Sequence, residues 1–308
     1  AALNLAKLLA KGLLVGIWVP PQEVRQLRAL IAQRSKMVKL SSQSRNRLHA
    51  VLHRHHLPLP KKGSPFAAEQ RTWWVELPLC TEEKVCVISD LDTLAFAQGQ
   101  ITLLEQTMME LAAQDERVPL LVQLTGIGVI TALTVLAAIG QIDRFPSAKH
   151  LVGYAGLGAR VHDSGQTTRT GKITKAGRRD LRGAMVESAW TAVRCDPHWK
   201  AEFERLAPRL GRNKAIVAIA RKLLVAVWHI LTKGEANRFA QPELVARKLM
   251  QHIYQLGQAN RPQGFSCSAY GRQQLDRLGI GQQLTHVPWG RVHSPIPLPP
   301  SRLPTPGD

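Results

Sequence analysis

Ser164 lies in a stretch whose residue types invite phosphate chemistry. Residues 151–182 read LVGYAGLGARVHDSGQTTRTGKITKAGRRDLR. Gly153, Gly156 and Gly158 precede the Ser164-Gly165 pair, and two further glycines follow it. Positive charge comes from Arg160, Arg169, Lys172, Lys175, Arg178, Arg179 and Arg182, against the acids Asp163 and Asp180. Glycine lets a backbone turn sharply and approach a phosphate closely. Arginine and lysine neutralise the phosphate and any charge that builds up during displacement. A serine so placed can hydrogen-bond a phosphate or attack one. Composition alone favours contact over catalysis, because phosphate contacts far outnumber catalytic serines.

A second phosphate-binding pattern lies upstream. Residues 118–140 read VPLLVQLTGIGVITALTVLAAIG. Thr125, Gly126, Ile127 and Gly128 sit between two apolar segments, which is the form of a helix-hairpin-helix. The two glycines would admit a close backbone, and the helix that follows would present unpaired N–H groups at its positive end. Such a turn grips phosphate without reading sequence. A plain pair of helices in a core has the same pattern.

The elements that must carry these residues are helical by their apolar spacing, and the fold class is mainly α. Residues 3–14 have helical periodicity, with Gly12 near the end. Pro20-Pro21 suggest a fresh start for a long basic helix with Val24, Leu27, Leu30, Val38, Leu48 and Val51 on one side. Arg25, Arg28, Arg34, Lys36, Lys39, Arg45 and Arg47 form the other side, either along a nucleic-acid backbone or as a solvated face. A short strand is expected near Val15–Val19. Residues 57–66, LPLPKKGSPF, form a break. A long coiled-coil-like helix is expected over 89–116, capped by Ser89 or Asp90, with Asp90 and Asp92 as capping and dipole partners. A helix of this length packs against a neighbour or a copy of itself, so a homo-oligomer is expected. Further helices are expected over 178–194, 199–210 and 213–232, with Gly234 ending the last and Trp228 and His229 in its core. The segment 236–308, rich in Pro and Gly toward its end, is expected to be poorly ordered.

Charge narrows the partner. Lys and Arg number 41 and Asp and Glu 22, for a net charge of +19. That excess points to a polyanion, DNA or RNA. A membrane surface is the weaker candidate, because the charges are spread over several segments. Ala215–Leu231 is the most apolar run, interrupted by Arg221 and Lys222, so no membrane span is expected. Cys80, Cys86, Cys195 and Cys267 make no CxxC pair or disulfide framework, which suits a reducing, cytoplasmic setting. His53, His55 and His56 lack nearby cysteines or carboxylates at ligand spacing, and read as a polar helix end rather than a metal site.

Residues 124–231 are similar to a known family. The motifs, in order, are the GIG turn, the FPSAKHLVGYAGL run, the Ser-Gly pair, GKITKAG, the DLR helix and ARKLL. Together they resemble the C-terminal domain of DEDD-type insertion-sequence transposases of the one-ten group. Residues 1–56, with WVPP and RQLRAL, resemble the stretch that follows the catalytic core in that family. The resemblance implies recombination of DNA. Ser164 corresponds to the family's serine nucleophile, which forms a covalent phosphoserine with the cut strand. Four acids of an upstream, resolvase-like domain would hold Mg²⁺, and a structured guide (bridge) RNA would pair with the DNA. None of those acids can be assigned here, since the sequence opens within the helix expected to follow them. The chain alone is therefore expected to bind nucleic acid through residues 125–128 and the 160–182 cations, to hold no metal, and not to recombine DNA. A bacterial, nucleoid-associated cytoplasmic setting follows from the same resemblance. The alternative is a non-enzymatic helix-hairpin-helix protein that binds DNA or RNA. The expected organisation is a resolvase-like remnant over 1–60, a linker and long helix over 61–117, a helical transposase domain over 118–235, and the segment 236–308.

Overall fold

The computed structural model describes residues 2–13, 17–164, 167–262, 264–289 and 292–299, with the backbone alone for 161–164, 167–170 and 289. Helices dominate, as the periodicity predicts. Helix α1 (Ala2–Ala10) ends at Gly12, which sits at φ +66°. Its leucines Leu3, Leu5, Leu8 and Leu9 are exposed. Ile17–Val19 form no strand, contrary to expectation, and Val15 lies outside the described residues. Pro21 then caps α2 (Gln22–Arg54).

Helix α2 does not face outward along its length. It lies antiparallel to α4 (Thr81–Gln114), with the short α3 (Arg71–Glu76) between them in sequence. Ion pairs fix the register: Arg34 with Glu105 at 2.6 Å, Arg47 with Asp90 at 2.5 Å, and Arg54 with Glu83 at 3.1 Å. Ile31, Met37, Ser41, Ser44, Leu48 and Val51 of α2 are buried, as are Val87, Leu91, Leu94, Ala97 and Met108 of α4. From Met37 to Val51 and from Val87 to Ala97 these positions recur every three or four residues, the seam of a coiled coil. Small Ser41, Ser44 and Ala97 sit midway along it.

Helix α4 starts eight residues before the expected cap at Ser89. Glu82 and Glu83 occupy its first turn, where they favour the helix dipole. Asp90 and Asp92 therefore lie inside the helix and serve as ion-pair partners of Arg47 and Arg71, not as caps. His55 pairs with Glu83 at 2.8 Å. Around the outer ends of the pair, Leu48, Leu52, Trp74, Leu77, Val87 and Leu91 close a small core. The Trp74 indole N–H donates to Pro65 O at 2.6 Å.

The main core starts where the helix pair ends. Helix α5 (Arg117–Val122) turns through residues 123–128 into α6 (Val129–Ile139), almost every residue of which is buried. Its carboxyl end is a meeting point. Arg28 donates to Ala137 O (2.7 Å) and Ala138 O (2.9 Å), Arg117 to Gly140 O (2.9 Å), and Arg144 to Ile139 O (2.7 Å). The Tyr154 hydroxyl reaches Ala138 O at 3.3 Å. Three guanidinium groups thus satisfy the unpaired carbonyls and oppose the negative helix end. The Trp18 indole covers this end, and Arg144 stacks on it at 4.1 Å. Gly140, at φ +68°, leaves room for the ring: a Cβ there would lie 2.6 Å from Trp18 Cη2.

Helix α7 (Ala148–Tyr154) leads into strands β1 (Ala159–Ser164) and β2 (Thr167–Ile173). Helices α8 (Arg179–Cys195), α9 (Pro197–Leu210) and α10 (Arg212–Lys233) follow. By length and composition α10 is apolar enough to cross a membrane, despite Arg221 and Lys222. Its Ile216, Ile219, Leu223, Leu224 and Val227 are buried among α7, α8 and α9. Gly234 ends it in the left-handed conformation. The Trp228 indole donates to Phe145 O, but His229 is exposed rather than in the core.

The described residues after 236 carry secondary structure, where a poorly ordered segment was expected. Helix α11 (Pro242–Leu256), helix α12 (Cys267–Arg277) and the antiparallel strands β3 (His286–Trp289) and β4 (Val292–Pro295) fill it. Val245, Ala246, Leu249, Met250 and Leu256 belong to the main core. The physical reason for the stretch beyond α12 is Arg272. Its buried guanidinium donates to Pro297 O (2.6 Å), Gly281 O (2.8 Å) and Leu284 O, so one cation satisfies carbonyls on both sides of the β3–β4 pair. Residues 300–308 lie outside the described residues.

Candidate nucleic-acid interface

The stretch around Ser164 is a β-hairpin rather than a glycine loop. Ala159 pairs with Ile173, Val161 with Thr170, His162 with Arg169, Asp163 with Thr168 and Ser164 with Thr167. The threonines favour a strand, as β-branched residues do. Ser164 is the last paired residue of β1, and Gly165 lies outside the described residues. A register shift between Ala159 and Val161 places Arg160 at a bulge, a device that re-aims a side chain.

The hairpin stands on a built base. Thr174 N–H donates to Gly158 O (2.9 Å), Lys175 N–H to Gly156 O (3.1 Å) and Arg178 N–H to Tyr154 O (2.9 Å). Gly156 and Gly177 make this base possible. A Cβ on Gly177 would lie 2.2 Å from Tyr154 O, and one on Gly156 2.9 Å from Ala176 O. Their close approach is to protein backbone, not to phosphate as expected. Arg182 crosses underneath, donating to Ala155 O (3.0 Å) and Lys175 O (3.2 Å). These bonds hold Lys175 at φ +55°, a conformation that costs a side-chain-bearing residue roughly 1–2 kcal/mol.

The seven cations sort by what they already hold. Arg182 is tied to carbonyls, and Arg178 pairs with Asp180 through two bonds, one of them 3.0 Å. Burial alone would raise the Asp180 carboxyl, but the bonds from Arg178 and the Leu181 N–H outweigh it and hold the pKa below its ordinary value. Arg160, Lys172, Lys175 and Arg179 are exposed, with no carboxylate partner among the described residues. Arg169 is placed by its backbone, on β2 opposite His162.

Thr125–Gly128 come together at the α5–α6 turn, where their roles divide. Gly126 sits at φ +92°, and a Cβ there would lie 2.2 Å from Ser188 O of α8. Ile127 is fully buried and Thr125 is nearly so. Gly128 alone faces open space. A cavity of about 490 Å³ opens beside it, lined also by Thr125, Thr191, Arg247, Lys248 and Gln251. The sequence reading missed the α11 residues, which lay in the segment expected to be disordered. The signal was present: Val245, Leu249 and Ile253 have helical spacing, and Arg247-Lys248 share one face. Lys248 Nζ donates to Ile127 O at 2.7 Å, and burial pushes its pKa down to about 8. Helix α8 runs from the hairpin base to this cavity, about 25 Å at 1.5 Å per residue. Among the described residues no three His, Cys, Asp or Glu side chains gather as a metal site.

Residues 118–204, which hold the turn, the hairpin and α8, match the model of the Transposase IS116/IS110/IS902 family. That stretch is similar to the domain of insertion-sequence transposases. The putative transposase y4qE of Sinorhizobium fredii is 28% identical over 216 residues, covering 69% of this chain and 49% of that protein. The transposase for insertion sequence element IS1111A of Coxiella burnetii is 26% identical over 235 residues, 70% of this chain and 61% of its own length. A pilin gene-inverting protein of Moraxella bovis is 33% identical over 124 residues, 39% of this chain and 38% of that protein. The chain spans about half to three-fifths of the first two relatives. Helix α11 lies outside the family match.

Proposed function

We propose that this chain is the DNA-handling part of a transposase that cuts and rejoins DNA, with Ser164 as the nucleophile. The supporting observation is the position of Ser164: the last paired residue of a hairpin whose base is tied by backbone bonds, in a stretch where Arg160, Lys172, Lys175 and Arg179 are exposed with no carboxylate partner among the described residues. In the proposed step Ser164 Oγ attacks a backbone phosphorus and loses its proton. A phosphoserine diester forms, and the bond to the leaving deoxyribose oxygen breaks, that oxygen taking up a proton. Attack by an incoming strand hydroxyl reverses the exchange and restores the serine. Arg160, Lys172, Lys175 and Arg179, toward the base of the hairpin, are proposed to hold phosphates that neighbour the reacting one. The four acids and Mg²⁺ that the resemblance implies would belong to a preceding domain, and no step is derived through them. A structured guide RNA and a second copy of the chain are proposed partners. The resemblance supports the RNA, and exposed Phe96 and Leu103 on α4 support the copy.

The test uses the chain joined to an upstream acid-bearing region, with end-labelled DNA resolved on a denaturing gel. A covalent adduct is expected, absent in Ser164→Ala, with DNA affinity kept within about twofold. An adduct that persists in Ser164→Ala sinks the assignment.

A further inference from the structure

We propose that the cavity at the 125–128 turn is a phosphodiester pocket completed by α11, in which Arg247 and Lys248 hold a backbone phosphate of double-stranded DNA. This rests on the DNA reading above and adds a second, separate anchor to it.

The cavity, of about 490 Å³, has two cations and no carboxylate on its walls. Thr125, Thr191 and Gln251 add hydroxyl and amide donors. The wall at Gly128 is bare backbone, since a Cβ there would meet nothing within 4 Å. No aromatic side chain lines it, so it offers a base nothing to stack on and suits the backbone instead. Lys248 is already aimed. Its bond to Ile127 O uses one of three ammonium donors and leaves two. Arg247 is exposed beside it, and among the described residues neither side chain has an acidic partner. A half-buried lysine with no counter-ion gains from an anion that enters the space in front of it. The cavity lies at the Cys195 end of α8 and the hairpin base at the Arg179 end, about 25 Å apart. At 3.4 Å per base pair that is roughly seven base pairs, a distance that one short duplex spans.

The experiment is fluorescence anisotropy of the full chain with a labelled duplex of about 20 base pairs, titrated in KCl. Against the wild type stand Arg247→Gln/Lys248→Gln and the hairpin variant Lys172→Glu/Lys175→Glu. The pocket variant is expected to bind about tenfold more weakly near 0.15 M salt, with a log–log salt slope shallower by about 1.8, the value for two phosphate contacts. Arg247→Lys/Lys248→Arg should recover most of the affinity. Because Lys248 also ties down Ile127, Arg247→Glu serves as a second variant, expected to lose at least about threefold in affinity with an unchanged melting temperature. A wild-type slope in the glutamine variant, or wild-type affinity in Arg247→Glu, overturns the pocket while a weakened hairpin variant leaves the DNA reading standing. Absence of salt-dependent binding by the wild type overturns both.

Discussion

Helix α2 and the β1–β2 hairpin are both rich in cations, and α2 turns four of its arginines onto its neighbours while Arg25, Lys36, Lys39 and Arg45 stay exposed. Arg28, Arg34, Arg47 and Arg54 of α2 are bonded to carbonyls or carboxylates of α4 and α6. Arg160, Lys172, Lys175 and Arg179 around the hairpin meet no acid among the described residues. A net charge of +19 therefore overstates what a polyanion can use. What decides is whether each guanidinium or ammonium already has a partner. The glycines divide the same way: Gly126, Gly156 and Gly177 let protein backbones meet, while Gly128 faces open space.

If this division into inward and outward groups is right, variants should separate cleanly into those that lower stability and those that lower DNA affinity. The largest effect is expected for Gly126→Ala. Positive φ and a 2.2 Å approach to Ser188 O give a loss of more than about 3 kcal/mol in denaturant unfolding, whereas Gly128→Ala stays within about 0.5 kcal/mol. Next, reversing Arg160, Lys172 and Lys175 together to Glu should weaken duplex binding roughly a hundredfold, equivalent to about 2.7 kcal/mol, with little change in melting temperature. Arg28→Ala leaves the Ala137 carbonyl without its side-chain donor and takes one of several from Ala138, and a loss of about 2 kcal/mol in stability is expected with DNA affinity unchanged. A smaller effect is expected from pH. Lys248 is charged below its pKa of about 8 and neutral above it, so duplex affinity should fall two- to fivefold between about pH 7 and 9. That decline should be absent in Lys248→Gln. The smallest is Arg34→Gln, whose partly exposed pair with Glu105 contributes less than about 1 kcal/mol and nothing to DNA binding. A large affinity loss in Arg34→Gln would break the comparison.

The sequence made long periodic elements legible and hid those held by single contacts. Helix α10 was clear because buried apolar residues recur along its 22 residues, and Gly234 marks its end. The α5–α6 turn was clear as a turn, but nothing in GIG says that Gly126 meets Ser188 while Gly128 meets open space. The hairpin was hidden because glycine and charge masked the β-branched run Thr167-Thr168, Thr170 and Ile173. Helix α11 was overlooked because neighbouring prolines and glycines suggested disorder. The order beyond α12 depends on Arg272 reaching three carbonyls up to 25 positions away, a long-range contact that no local pattern displays. The excess of cations over 160–182 was readable as charge. Which of them remained available was not, since that depends on where Asp180 and the carbonyls of Ala155 and Lys175 come to lie.

The carboxyl end of α6 also sets an order of events during synthesis. Arg28 leaves the ribosome 109 positions ahead of its acceptor at Ala137. At about 5–20 residues per second it waits roughly 5–20 s for that carbonyl. Helix α4, ending at Gln114, is complete before Ala137 is made, so late in that interval α2 has α4 to zip against but no α6 to dock on. The order of synthesis lets α2 and α4 meet before the contacts of Arg28 with α6 can form. A nascent chain halted before Ala137 would leave the segment 18–28 open to protease, and a few dozen more residues would close it.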